Sequence, residues 1–186
     1  MMSAASGLPV TVTYLQMHRP ADRYPHAPMG HQLALFRCRD IPLHFYRYLY
    51  DRVGRDWHWT AALLLDDEQL AKRLNNADRE IHALYLNGAP AGFFELHHMV
   101  NKECRLVHFG LMRHAIGLGL SRWFLGCAIQ SAWEANPRVV SVETCTLDHP
   151  AALPLYQKMG FTPVRRAEAS AIPITAEQRA EALLRD

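Results

Sequence analysis

Two segments of this chain carry residue types at spacings suited to chemistry. In the first, Phe109-Gly110-Leu111 leads through Ile116-Gly117-Leu118-Gly119-Leu120-Ser121 into Arg122-Trp123-Phe124-Leu125. This reads as a strand, a glycine-containing turn and a helix start, an arrangement in which backbone N–H groups hold a phosphate or pyrophosphate. In the second, Leu155-Tyr156-Gln157-Lys158-Met159-Gly160-Phe161 reads as a helix with a phenolic hydroxyl on its last turn and glycine as its stop. Glu95 lies in an otherwise apolar run, and His108 immediately precedes the first segment. Both are candidates for moving protons.

The elements that position these groups follow from local pattern. Residues 10–15 are rich in β-branched side chains and read as a strand. Pro20, Pro25, Pro28 and Gly30 make residues 18–30 a loop. A second strand is expected over 33–38, and Pro42 occupies a first-turn position for a helix over 43–53. Asp66-Asp67-Glu68 suits a helix N-terminus, and that helix ends near Asn75-Asn76. Segments 80–86 and 91–98 flank Asn87-Gly88-Ala89-Pro90 and read as a hairpin. Strands over 105–111, 139–146 and 161–166 alternate with helices over 121–134 and 151–159. Thr175-Ala176-Glu177-Gln178 has the form of a capping box opening a C-terminal helix, and residues 1–7 read as loose.

Taken together, the two segments resemble the GCN5-related N-acetyltransferase (GNAT) superfamily. The superfamily turn follows Gln/Arg-x-x-Gly-x-Gly/Ala, and here Ile116, Gly119 and Ser121 stand at its first, fourth and sixth positions, with Gly117 at the second. The first position is therefore apolar rather than basic. A register starting at His114 also fits, but the chosen one aligns the helix start at Arg122. The next motif, Asn-x-x-Ala-x-x-Leu-Tyr-x-x-x-Gly-Phe, is met by Ala152, Leu155, Tyr156, Gly160 and Phe161, with His149 in place of Asn.

The resemblance covers residues 80–166 closely and 10–75 in element order, leaving 167–186 as a C-terminal extension. It implies one GNAT-like domain over 1–186, of α/β (α+β) class. The expected sheet is mixed, mostly antiparallel and twisted, flanked by helices and splayed between the fourth and fifth strands. It implies binding of acetyl-CoA through Phe109, Leu111, Ile116, Gly117, Leu118, Gly119, Leu120, Ser121, Arg122, His149, Ala152 and Tyr156. It further implies direct transfer of the acetyl group to a primary amine in a ternary complex, with Tyr156 as general acid. A small-molecule acceptor is preferred; a protein or peptide amine, or a non-catalytic acyl-CoA-binding module, are the alternatives. Tyr156 packing its ring against pantetheine or core is the plainer reading of that residue.

The base is open. The position where several family members carry Glu holds Arg105, which cannot serve. Strand alternation puts Phe93, Glu95 and His97 on one face and Phe94, Leu96 and His98 on the other. Glu95 is the first candidate for base or amine-binding anion, against a solvated carboxylate or an ion pair with Arg105. His108 is the second, against a structural role, while Asp148 and His149 suit a helix cap. The aromatic run Phe45 to Tyr50, with Trp57-His58-Trp59, falls where the superfamily builds its acceptor side. Trp57 and Trp59 are substrate candidates, and nearby Arg47, Arg52 and Arg55 would admit an apolar or a carboxylate-bearing amine. Tyr48 and Leu49 are assigned to core by their spacing.

Composition narrows the field. The chain has 186 residues, 49% hydrophobic and 20% charged, with net charge +2. That balance fits one globular domain, and the spread of its charges predicts no nucleic-acid partner. The four cysteines form no C-x-x-C pair, His97 and His98 point to opposite strand faces, and no metal is expected. No G-x-S-x-G elbow is present. Without a signal-like N-terminus or a long apolar run, a cytoplasmic protein with no membrane partner is expected, and a homodimer stays open.

Overall fold

The computed structural model describes residues 7–185. Of the start expected to be loose, only Gly7 falls within that range. In chain order the elements are β1 (Leu8–Met17), β2 (Leu33–Cys38), α1 (Leu43–Gly54), α2 (Asp67–Leu74), β3 (Arg79–Leu86), β4 (Ala89–His98), β5 (Glu103–Leu111), α3 (Leu120–Glu134), β6 (Val139–Cys145), α4 (Ala152–Lys158), β7 (Thr162–Ala171) and α5 (Ala176–Leu184). Their boundaries follow local chemistry. Asp66 and Gln69 close a capping box on α2, and Thr175 and Gln178 do the same on α5. Asn87 and Gly88 both take positive φ, 51° and 85°, which the tight β3–β4 turn demands.

The strands form one sheet in the order β2-β3-β4-β5-β6-β1-β7. Neighbours are antiparallel except β5 and β6, which run parallel. The parallel ladder spans only Glu103↔Val139 to Leu106↔Val142. Past it, β5 continues to Leu111 and β6 to Cys145 without pairing to each other. The expected splay is therefore present, and it opens at Val107. That residue is a bulge: Leu106 faces Leu96, yet His108 faces Glu95.

Two apolar cores pack on opposite sides of this sheet. Adjacent Phe93 and Phe94 enter different cores, as period-two alternation requires. On one side Phe94, Leu96 and Leu106 meet Phe124 and Leu125 of α3 and Tyr156 of α4. On the other, Phe93 and Ile81 meet Tyr46, Leu49 and Val53 of α1, Leu70 of α2 and Ala182 of α5. Gly110 lets α1 come close to β5, since a Cβ there would lie 2.3 Å from Val53 Cγ1.

One strand boundary departs from expectation. β7 runs to Ala171 rather than stopping at Arg166, because β1 begins at Leu8 and pairs with it throughout. As an edge strand it needs only that backbone ladder, and its exposed Arg165, Arg166 and Glu168 hide it from apolar pattern reading. Among the described residues no helix is long and apolar enough to cross a membrane.

Candidate active site

The gap between β5 and β6 is the floor of a cleft of about 1130 Å³ that reaches both faces of the sheet. On the α3 side it is lined by Phe109, Leu111, Ile116, Gly117, Gly119, Leu120, Ser121 and Arg122, then by Ala152 and Tyr156 from the α4 region. On the α1 side it is lined by Tyr50, Val53, Trp57, Trp59, His108 and His149. Of the residues expected to meet a cofactor, only Leu118 lies outside it.

The glycine turn has the geometry its sequence requires. Gly117 and Gly119 adopt φ of 86° and 75°, left-handed values that side chains resist, and no atom lies within 4 Å of where a Cβ would stand. Gly119 is the N-cap of α3, and no side chain caps the helix. Its first N–H groups therefore face the cleft side free of a protein cap. Arg122 and Lys158 add positive charge to the same rim.

Tyr156 is 6% exposed. Burial, with the Asp148 carboxylate as a lesser contributor, pushes its phenol well above the ordinary value, so the proton stays on Oη at neutral pH. Its ring meets Phe109 at 6.4 Å and Phe161 at 5.9 Å between centroids. The ring is packed into the core, and the residue also lines the cleft.

Glu95 departs from expectation. Its side chain is fully buried and does not line the cleft, so it cannot meet an acceptor amine directly. Oε2 accepts from the Tyr46 hydroxyl at 2.6 Å and lies 2.9 Å from His108 Nδ1. Oε1 accepts from Arg73 at 3.1 Å and also from Arg79. Burial pushes this carboxyl up, but His108, Arg73 and Tyr46 together outweigh it and hold it well below the usual carboxylate range. The expected alternative, an ion pair with Arg105, is also absent, because Arg105 points to Glu103 at 3.5 Å.

His108 stands between this carboxylate and the cleft. Its ring is flanked by Tyr50 at 5.0 Å and Trp59 at 5.1 Å. With Nδ1 committed to Glu95, Nε2 is the nitrogen left for a ligand. Tyr50, buried beside it, has its phenol pushed up to about 12 by desolvation and stays neutral.

The aromatic wall is fixed by Asp148. Its Oδ1 accepts from Trp59 Nε1 at 3.2 Å, while Oδ2 accepts from Thr144 Oγ1 at 2.7 Å and the Cys145 N–H at 2.9 Å. His149 accepts from the Ala151 N–H at 3.0 Å, a local capping contact, and meets Trp57 edge-on at 4.9 Å. None of the three arginines expected near this wall lines the cleft: one nitrogen of buried Arg47 meets Asp67, its other two having no partner among the described residues, Arg55 meets Asp51, and Arg52 lies over the Tyr48 ring.

Some lining residues were missed by sequence reasoning. Glu143 and Cys145 follow from alternation on β6 once Val140 and Val142 are known to face the α3 core. Ala169 to Ala171 carry no such signal, because they belong to the extended edge strand, and Ile172 follows directly after it. Arg73 and Arg79 also gave none, since nothing local marks a cation that folds back onto a distant carboxylate. Among the described residues no group of three or more His, Cys, Asp or Glu could hold a metal ion.

Comparison with known proteins places this architecture. The structure superposes on a tandem GNAT protein of the clavulanic acid biosynthesis pathway with TM-score 0.62 and 19% identity, over 94% of this chain and 57% of that one. A functionally unknown conserved protein of Staphylococcus epidermidis ATCC 12228 gives TM-score 0.61 and 15% identity, over 90% and 63% respectively. This chain thus spans about six-tenths of the length of those two proteins. The IAA acetyltransferase of Bacillus cereus ATCC 14579 gives 0.53 and 18%, over 72% and 79%. At such identities the likeness is one of fold. No curated protein matches in sequence. The acetyltransferase (GNAT) family profile, however, matches residues 43–161, which is most of the chain and contains both glycine-bearing segments and the splayed strands. The chain belongs to the GNAT acetyltransferase family.

Proposed function

We propose that this protein is an N-acetyltransferase that moves an acetyl group from acetyl-CoA to a primary amine of a small molecule, by direct transfer in a ternary complex. The observation that carries this reading is the passage through the sheet at Val107. It places the uncapped α3 start and Tyr156 on one side and His108, backed by Glu95, on the other.

The residues present fit acetyl-CoA. Gly117 and Gly119 leave open space beside a backbone whose N–H groups suit a pyrophosphate, and Arg122 and Lys158 supply counter-charge. The β5 backbone past Leu106 has lost its β6 neighbour and can pair with an amide-bearing arm. When bound, acetyl-CoA supplies a thioester with an electrophilic carbonyl carbon and a thiolate leaving group.

The chain's own groups would divide the proton work. His108 Nε2 takes a proton from the amine, while the ionised Glu95 accepts from Nδ1–H and fixes the ring. Glu95 is thus a positioning residue. Tyr156 Oη keeps a proton available to the departing sulfur. Trp59, tied to Asp148, holds the wall against which the amine is oriented.

The test pairs thermal denaturation with thiol release. Acetyl-CoA at about 100 times its Kd should stabilise the native state by roughly 2.7 kcal/mol. Tyr156→Phe should keep that shift and lose about 10²-fold in kcat, the usual scale of general acid catalysis. A CoA-specific shift without thiol release from any amine would instead favour a binding module. No shift at all would remove the acetyl-CoA assignment.

A further inference from the structure

The charges around the α1 side of the cleft limit what acceptor it takes. Three arginines neighbour the aromatic wall in sequence, and none lines the cleft. Arg47 is completely buried and bound to Asp67, Arg55 chelates Asp51, and Arg52 covers Tyr48. The cationic side chains that do line the cleft, Arg122 and Lys158, belong to the rim of the glycine turn and the end of α4. A carboxylate on the acceptor would therefore lose water and find no guanidinium or ammonium in return, which is unfavourable.

The anionic side is equally sparse. Two carboxylates line the cleft, and Asp148 already serves Trp59, Thr144 and the Cys145 N–H. Glu143 is exposed, lies on the α1 face of β6 by alternation with Val142, and has no ion pair or hydrogen bond among the described residues. One uncommitted carboxylate suits one ammonium group. The bulk of the side chains here, Tyr50, Trp57, Trp59, Leu64 and Ile172, is aromatic and aliphatic, beside the neutral hydroxyls of Thr60 and Ser170 and the imidazoles of His58, His108 and His149.

We infer that the acceptor is a monoamine with an apolar, ring-bearing body and no carboxylate, an arylalkylamine in chemical class. This rests on the N-acetyltransferase reading above. Its ring packs among Trp57, Trp59 and Tyr50, and Glu143 draws its ammonium toward His108. Amino acids fail for want of a guanidinium or ammonium on this side, and polyamines for want of a second uncommitted carboxylate.

A panel of 2-phenylethylamine, L-phenylalanine and spermidine, each with acetyl-CoA and thiol release as readout, tests this. The first should exceed both others in kcat/KM by roughly 100-fold, because a charge that loses water without gaining a partner is penalised on entering the cleft. Trp57→Ala should raise KM for 2-phenylethylamine about tenfold through lost ring packing, leaving KM for acetyl-CoA unchanged. Equal or better turnover of L-phenylalanine or spermidine would overturn the inference. If no amine releases thiol, the catalytic reading fails by itself, and calorimetric titration of the CoA-loaded protein decides the acceptor question. Saturable heat from 2-phenylethylamine alone would sustain the inference, and none, or equal heat from all three, would end it.

Discussion

At the scale of residues, the centre of this protein is one carboxylate with four partners. Glu95 is completely buried and is held ionised by Arg73, Arg79, Tyr46 and His108. Its folded-state pKa is depressed, so its contribution is fully present above the free carboxylate value of about 4.3 and is lost as pH falls below it. Glu95→Gln should cost about 3 kcal/mol at pH 7, because it leaves buried cations short of a counter-charge. Urea denaturation at pH 7 and pH 3.5 checks this: the gap between wild type and variant should narrow at the lower pH. A gap of equal size at both would mean that the carboxyl titrates alike in the folded and unfolded chain, so that its four partners do not favour the charged form. The same variant should lower kcat without changing KM for acetyl-CoA, which a purely structural role would not do. Sequence alternation set Glu95 on the face of Phe93, where the structure has it, but gave no sign of its partners. The bulge at Val107, which swings His108 opposite Glu95, and the two arginines closing over it are products of tertiary packing that no local pattern records.

At the scale of elements, the site depends on how near α1 lies to β5. Gly110 sets that distance, and Gly92 across the ladder is similarly constrained by the Gly110 carbonyl, 2.5 Å from where its Cβ would stand. Gly110→Ala should push α1 outward through Val53, costing about 1–3 kcal/mol as overpacking does. It should also weaken amine binding more than acetyl-CoA binding, since α1 bears Tyr50 and leads into Trp57. Parallel thermal melts and KM values for both substrates would check the asymmetry; equal losses would show that α1 does not shape the acceptor side alone. The elements themselves were largely readable: the Asn87-Gly88 turn, the acidic helix start at Asp66, the capping box at Thr175 and the glycine stop at Gly160 each act within a few residues. β7 past Arg166 was not, because an edge strand is held by its neighbour's backbone and not by its own apolar pattern.

At the scale of the whole molecule, the short parallel ladder between β5 and β6 has a mechanical meaning. The sheet is two rafts, β2-β3-β4-β5 and β6-β1-β7, moored along four residue pairs. So short a mooring should let the rafts breathe against each other, opening the seam at far less cost than unfolding either one. A ligand lying in the gap acts as a missing eighth strand and couples the two. Amide hydrogen exchange should then slow on acetyl-CoA addition along residues 107–111 and 143–145, on both banks, with little change at β2 or β3. Slowing on one bank alone would mean that the ligand pairs with one raft and does not couple the two. Substrate binding in this protein would, on that account, also be what makes its sheet continuous.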